Sequence, residues 1–329
     1  MRFDWLDPAD AATTEAVLDL WQAAHRVDYP RDPAFARADA RGRITVPSPS
    51  EPARFLLAHS GRELLAVAEI ATPLLDNTAT AIVELIVRPY ARRQGVGAAL
   101  WTRVAEHALL SDRKLVMTDT ITPGPGASFA RRLGAEAALR DVRRRLVVDR
   151  AARERATRLA AAAAPLAAGY AVHSFGGPVP ARWLDGLAAL MGRMSTDAPL
   201  QDLDWEPEVF DGARVREREA IDAARGWRVF TTLAVHAGSG AVAGYTRIAV
   251  NEEDGTAGWQ HDTLVDPDHR GHRLGGLMKA ANLAQVMARV PSLGQIITWN
   301  ADNNRHMIAV NEAMGFEVFD RWVEWQLRL

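Results

Sequence analysis

Two periodicities of apolar residues alternate along this chain, and the order in which they follow one another occurs twice. After Asp7-Pro8-Ala9-Asp10, which offers capping and first-turn residues, Val17, Leu18, Leu20 and Trp21 fall on one helical face. Residues 26–53 are rich in Pro, Arg, Asp and Ser and read as a loop with little regular structure. Apolar-rich extended runs then predict strands over 54–58, 63–71 and 79–87. A helix over 97–110, a short strand over 114–118, a helix around 128–133 and a closing strand over 142–148 follow. The second half repeats this order. A strand at 170–175 and a helix at 180–194 precede strands at 227–236, 241–251 and 256–265. A helix over 275–288, a strand over 295–299, a helix over 303–314 and a last strand over 322–329 complete it. Such a mixture predicts an α/β (α+β) fold of layered sheet and helix, not a bundle or a sandwich.

The repetition is also visible in single residues. Pro89 and Pro267, Arg92 and Arg270, and Gly97 and Gly275 are each 178 positions apart (267 − 89). Gly134 and Gly315, each closing a later helix, are 181 apart (315 − 134). A register held this closely over four landmarks indicates duplication of a whole domain. The expected organisation is a domain over 1–149, an Ala/Arg-rich linker over 150–169 that reads as a solvated helix, and a second domain over 170–329.

Composition narrows the chemistry. The length of 329 residues suits two domains, each able to bury its own core. A net charge of −2 gives no argument for a nucleic-acid partner or an anionic membrane. The longest apolar run, over 159–168, is interrupted by Pro165 and too short to span a bilayer, and no charged-then-apolar leader opens the sequence. The expectation is a cytoplasmic monomer or homodimer. With no cysteine, disulfides, thiolate metal sites and a cysteine nucleophile are excluded.

One turn carries the chemistry. Val87-Arg88-Pro89-Tyr90-Ala91-Arg92-Arg93-Gln94-Gly95-Val96-Gly97-Ala98 takes the chain from a strand through a basic, glycine-containing turn into a helix. Glycines let backbone approach a phosphate, successive N–H groups at a helix start point at it, and arginines add charge and bidentate geometry. A diphosphate fits such a cradle. The dinucleotide fingerprint is not completed, because Ala98-Ala99-Leu100 follows Gly97, and no Gly-Lys-Ser/Thr is present for a nucleoside triphosphate.

Strand, Val-x-Pro and Arg-x-x-Gly-x-Gly opening a helix resemble the acyl-CoA motif of the GNAT superfamily of N-acetyltransferases. Leu264-Val265-Asp266-Pro267-Asp268-His269-Arg270-Gly271-His272-Arg273-Leu274-Gly275 resembles it a second time, and Asn304 to Phe316 looks like the family's later helix, which ends in Gly-Phe. The tandem layout is similar to the superfamily's two-lobed, mycothiol-synthase-like members. The resemblance implies two GNAT-like domains, each a mixed, mostly antiparallel sheet flanked by helices. It implies acetyl-CoA as acyl donor and an amine, most simply a small molecule, as acceptor, the two meeting in a ternary complex. By the same resemblance, Arg92, Arg93, Gln94, Gly95, Val96, Gly97 and Ala98, or Arg270, Gly271, His272, Arg273, Leu274, Gly275 and Gly276, would hold the diphosphate. Backbone at Ile86-Val87 or Leu264-Val265 would pair with the pantetheine arm and polarise the thioester carbonyl. The family's helix tyrosine, which protonates the departing thiolate, is replaced by Ala130 and Asn311. A thiolate whose conjugate acid has a pKa near ~8.5 still leaves tolerably. Arg273 stands where the motif's first glycine belongs, so the first cradle is expected to be the better one.

An attacking amine must lose a proton. Glu84 and Asp262 each lie five residues before a motif proline, and a carboxylate within an apolar strand is costly unless it is wetted or paired. They are the candidate bases, with His261 beside Asp262 a third; a solvated strand residue and a structural histidine are the plain alternatives. Asn300 and Asn304 are candidate contacts to CoA or acceptor, although capping of the next helix by Asp302 or Asn303 explains part of that polar run. His269 and His272 have no third ligand in the sequence, so no metal is expected. A non-catalytic CoA-binding sensor or scaffold is the rival reading, motivated by the two missing tyrosines.

Overall fold

A computed structural model describes the whole chain, residues 1–329. Contacts divide it into one unit of Met1–Leu139, Asp202–Asp204 and Trp322–Leu329, and another of Arg140–Gln201 and Trp205–Arg321. The first unit opens with strand β1 (Arg2–Trp5), too short to show alternation, which pairs antiparallel with β2 (Ala53–Ser60). Between them lies α1 (Ala11–Asp28), capped by Asp10, whose carboxylate accepts the Ala12 and Thr13 N–H groups. Its Val17, Leu18 and Leu20 are fully buried, each worth roughly 1.5–3 kcal/mol.

Residues 26–53 are not the irregular loop their composition suggested: they contain α2 (Arg37–Thr45). Ala40 and Ile44, four residues apart, are its buried face, which is too narrow to read as a periodic stripe. Ion pairs of Arg37 with Glu15 and Asp19, and of Arg41 with Glu15, join it to α1. The unit continues with β3 (Glu63–Ala71), β4 (Thr80–Val87), α3 (Val96–Leu110), β5 (Leu115–Ile121) and α4 (Pro125–Leu133). Strand β6 (Glu136–Val147) begins in this unit and runs on into the second.

The second unit adds α5 (Arg150–Ala163), β7 (Tyr170–Gly176), α6 (Leu184–Asp197), α7 (Gly212–Ala224), β8 (Trp227–His236), β9 (Val242–Asn251) and β10 (Ala257–Val265). It continues with α8 (Leu274–Arg289), β11 (Gln295–Ala301), α9 (Arg305–Met314) and most of the first half of β12 (Glu317–Arg328). The expected solvated linker is instead a packed element. Asp149 caps α5, Ala152 and Ala156 are buried in the core with Phe230, Leu283 and Phe316, and Ala163 is buried too. Small side chains let α5 come close: a Cβ on Gly276 of α8 would meet Leu159 at 2.8 Å.

Each unit carries one sheet of the mixed, mostly antiparallel kind. In the first unit the order is β1-β2-β3-β4-β5 followed by residues 322–328 of β12, which pair antiparallel with β5. In the second, residues 141–147 of β6 pair with β11, and β10, β9, β8 and β7 follow. The one parallel pairing in each sheet is short. β4 meets β5 only over Thr80–Ile82, and β10 meets β11 only over Ala257–Trp259. Beyond those three residues the C-terminal halves of β4 and β10 have no partner on that side, so each sheet opens into a cleft.

Candidate active site

The two phosphate-loop candidates have one backbone design. After β4, a 3-10 turn at Pro89–Ala91 leads to Arg92 in extended conformation; after β10, Pro267–His269 leads to Arg270 likewise. Two left-handed residues then bend the chain into the helix: Arg93 (φ 62°) and Gly95 (φ 83°) before α3, Gly271 (φ 88°) and Arg273 (φ 54°) before α8. Each loop therefore has glycine at one of two left-handed positions and arginine at the other, where a side chain costs roughly 1–2 kcal/mol. At the 178-residue interval Arg273 takes the place of Gly95 and Gly271 that of Arg93, so the two loops carry the same pair of residue types in exchanged order.

Of the motif arginines, one in each loop is structural. Arg92 donates its Nε to the Val87 carbonyl (3.0 Å) and grips Asp28 with both Nη atoms (2.7 and 2.6 Å). Arg270 donates Nε to Val265 (3.3 Å) and Nη2 to Asp197 (2.9 Å). Both tie the loop to its strand and to the C-terminal end of a helix, α1 for Arg92 and α6 for Arg270. Arg93 and Arg273 are exposed and form no ion pair, so they are the cations left for an anion. A Cβ built on Gly95 or Gly271 meets nothing within 4 Å, which leaves open space before each helix start. The N–H groups of Val96, Gly97 and Ala98, and of Leu274, Gly275 and Gly276, have no acceptor inside their helices. Gly97 lies near Val87 and Leu85, and Gly275 near Val265, so these glycines keep the helix close to the strand end. Gln94 turns back to the Tyr90 carbonyl (2.9 Å), and His272 Nδ1 donates to the Leu166 carbonyl (2.9 Å). The half-buried Ile86 and Val87 and the Leu264-Val265 pair lie on the strand segments that border the clefts. An open, amide-lined, cationic corner beside a strand with unpaired backbone fits the diphosphate and pantetheine arm of a CoA thioester.

The candidate bases differ between the units. Glu84 sits beside Glu69 of β3, and one Nη of Arg43 in α2 binds both carboxylates while its guanidinium lies 4.9 Å over Trp21. Burial opposes the Arg43 charge, but Glu84 and Glu69 outweigh it and push its pKa up. Tyr29, stacked on Trp322 (5.7 Å, 13°), has its pKa raised by burial and then by Glu84, Asp119, Asp28 and Asp32.

In the second unit, β10 breaks register with β9 between Gln260 and Thr263, so His261 and Asp262 occupy a β-bulge. Glu84 has no such bulge, since β3 and β4 pair without a shift. Asp262 accepts a long hydrogen bond from the Tyr245 hydroxyl (3.4 Å) and forms no ion pair. The buried Tyr245 is held protonated, its pKa raised by desolvation and then by Asp262. His261 is an exposed residue, yet the protein packed around it and then the Arg247 guanidinium push its pKa down. Arg247 occupies the position of Glu69 at the 178-residue interval and pairs with Asp222 of α7 (3.2 Å), which reverses the charge pattern of the first unit.

Asn300 and Asn304 are brought near the cleft but have structural partners. Asn304 itself caps α9, accepting the Met307 N–H (3.2 Å), a role assigned from sequence to its neighbours. Asn300 accepts from Asn311 Nδ2 (2.6 Å), and the buried Asn311 is left with an unpartnered Oδ1. Ala130 is packed with Trp325. No three His, Asp or Glu side chains are grouped to hold a metal ion, and no helix is long and apolar enough to cross a membrane.

Comparison with known proteins decides the family. The family model described as acetyltransferase (GNAT) family matches residues 14–135 and again 198–316. The chain belongs to the GNAT acetyltransferase family. It is a tandem member of that family and an N-acetyltransferase, one match falling in each half. Similar curated proteins are the mycothiol acetyltransferases of Saccharomonospora viridis (28% identical, 98% of each chain covered) and Geodermatophilus obscurus (30%, 98% of this chain and 96% of the relative). Among solved structures, a tandem GNAT protein from the clavulanic acid biosynthesis pathway superimposes with a TM-score of 0.81 at 30% identity, covering 99% of this chain and 98% of the other. A GCN5-related N-acetyltransferase from Sphaerobacter thermophilus (TM-score 0.64, 18% identity) shares the fold.

Proposed function

We propose that this GNAT enzyme transfers an acetyl group from acetyl-CoA to a small-molecule amine, by direct attack in a ternary complex, and that the second unit carries out the transfer. The observation that carries this reading is the bulge in β10, which presents Asp262 without an ion pair beside the cleft, whereas Glu84 shares Arg43 with Glu69. The donor supplies an activated acyl group; the chain supplies position and proton transfer. Amides at Leu274–Gly276 and the Arg273 guanidinium hold the diphosphate, and a β10 N–H stabilises the developing oxyanion. Asp262 takes the amine proton as the N–C bond forms and the C–S bond breaks. With Asn311 in place of a tyrosine, the thiolate leaves unprotonated or takes its proton from water. The first unit keeps the same loop and is proposed to bind donor without transfer, which confines the sensor reading to that unit.

Calorimetry with acetyl-CoA, and thiol release with an amine panel, test this on Gly97→Glu and Gly275→Glu. A carboxylate within about 4 Å of a diphosphate costs on the order of 4 kcal/mol at a protein surface, a loss of about 1,000-fold in affinity. Gly275→Glu is expected to lose turnover, and Gly97→Glu to lose a binding event while turnover persists. The opposite pattern would move catalysis to the first unit. Unchanged binding in both variants would sink the loop assignment.

A further inference from the structure

The second unit contains a cavity of about 220 Å³ between α6, α7 and the sheet, below the ~300–1,000 Å³ of drug-sized sites. Leu187, Met191, Val215 and Val229 are among its apolar lining residues, and Arg218, Arg228 and Arg247 line it as well. Its lining carries three arginines (Arg218, Arg228, Arg247) and three carboxylates (Glu219, Asp222, Glu252), but they are not paired one to one. Glu219 is engaged by Arg216 and by the Val179 N–H (2.8 Å), Glu252 by Arg228 (3.6 Å), and Asp222 by Arg247 (3.2 Å). Arg218 has no carboxylate partner and only the Phe210 ring beneath it (5.3 Å). Every acid on the wall is thus spoken for, and one guanidinium is left over, aided by an Arg247 that meets Asp222 through a single contact. The fields of both arginines act on His261 in the β10 bulge and on Tyr245 of β9. Arg247 lines the cavity and, lying between Thr246 and Ile248 of β9, stands opposite the His261–Asp262 bulge, so the cavity and the candidate base are neighbours.

We infer that this cavity selects an acceptor that carries a carboxylate: an aliphatic amino acid or ω-amino acid, its carboxylate on Arg218 and Arg247 and its chain along Leu187, Met191 and Val215. This rests on the proposed amine acetylation and names the substrate class for it. A guanidinium–carboxylate hydrogen bond that is partly shielded from water discriminates against the neutral amide by about 10–100-fold.

The test separates binding from transfer. Affinity of the full chain for 4-methylpentanoate and 4-methylpentanamide is measured by calorimetry, and acetyl transfer to leucine, leucinamide, 6-aminohexanoate and its amide by thiol release. The acid is expected to bind at least about tenfold tighter than the amide, with the same order in kcat/KM. Arg218→Gln should erase the preference by weakening only the acids, and Arg218→Lys should restore part of it. Arg218 is exposed, so a thermal melt near wild type is expected for both variants. Equal binding of acid and amide, or a preference that survives Arg218→Gln, overturns the inference even if amines are acetylated. Carboxylate binding that depends on Arg218 without transfer to any amine supports the site and overturns the transfer reading instead.

Discussion

Replacing Asp262 by Asn should lower kcat for acetyl transfer by roughly 10²–10⁴, the range set by losing a positioned general base. Glu84→Gln should lower it by less than about tenfold, because the two carboxylates, equivalent by sequence interval, have been put to different uses. Arg43 occupies Glu84 Oε2 and Glu69 Oε2 together, so the first of these groups is a strut between α2 and the sheet. Asp262 meets a phenol at 3.4 Å and forms no ion pair, so a lone pair remains for an incoming ammonium. The asparagine variant keeps the shape and the Tyr245 contact, which makes a fall in kcat with little change in acetyl-CoA affinity the diagnostic result. Steady-state thiol release at saturating donor reads it. If Glu84→Gln proves the more damaging change, catalysis resides in the first unit and the bulge is a structural accident.

A second large effect is expected at Lys279, one of only two lysines in a chain that otherwise uses arginine. It is buried in α8, 1% exposed, with its Nζ 5.7 Å from the centre of the Phe316 ring. Desolvation pushes its pKa down to about 7 from 10.5. Between those values the unfolded chain holds a proton that the folded one has released. Stability should therefore rise with pH from about 7 to about 10.5, by up to about 1.4 kcal/mol per unit, and the full penalty of the buried charge should remain below pH 7. Lys279→Met keeps an unbranched side chain and removes the titration. The variant should be more stable by a few kcal/mol near pH 6, on the order of 5 at most, with the difference vanishing toward pH 10.5. Urea melts across this range check it; parallel curves for the two proteins would show that the amine is solvated after all. Arginine, which keeps its proton at any such pH, would be far more costly at this site.

The loops, the duplication and the candidate carboxylates were legible because each is local. A left-handed turn before a helix shows itself in glycine, and the 178-residue interval pairs Glu84 with Asp262 directly. What escaped the sequence is tertiary. Arg43 meets Glu69 and Glu84 from a helix that buries only a narrow face, so neither α2 nor the ion pair had a periodic signature. The same interval sets Glu69 against Arg247, and that charge reversal was available as a hint that the two halves had diverged in use. Helix α5 read as solvated because its exposed face is arginine and its buried face is alanine, which weighs little on any hydropathy scale. Asn304 belongs to the family pattern and also caps α9, so its place in the motif did not separate ligand contact from helix start.

The exchange of strands sets a schedule for the newborn chain. Residues 322–328 complete the first sheet against β5, so the edge of β5 emerges from the ribosome long before its partner does. At about 5–20 residues per second, that edge waits on the order of ten seconds or more, open to any passing extended peptide. A gene cut between the two halves would leave that edge without the strand that covers it in the full chain.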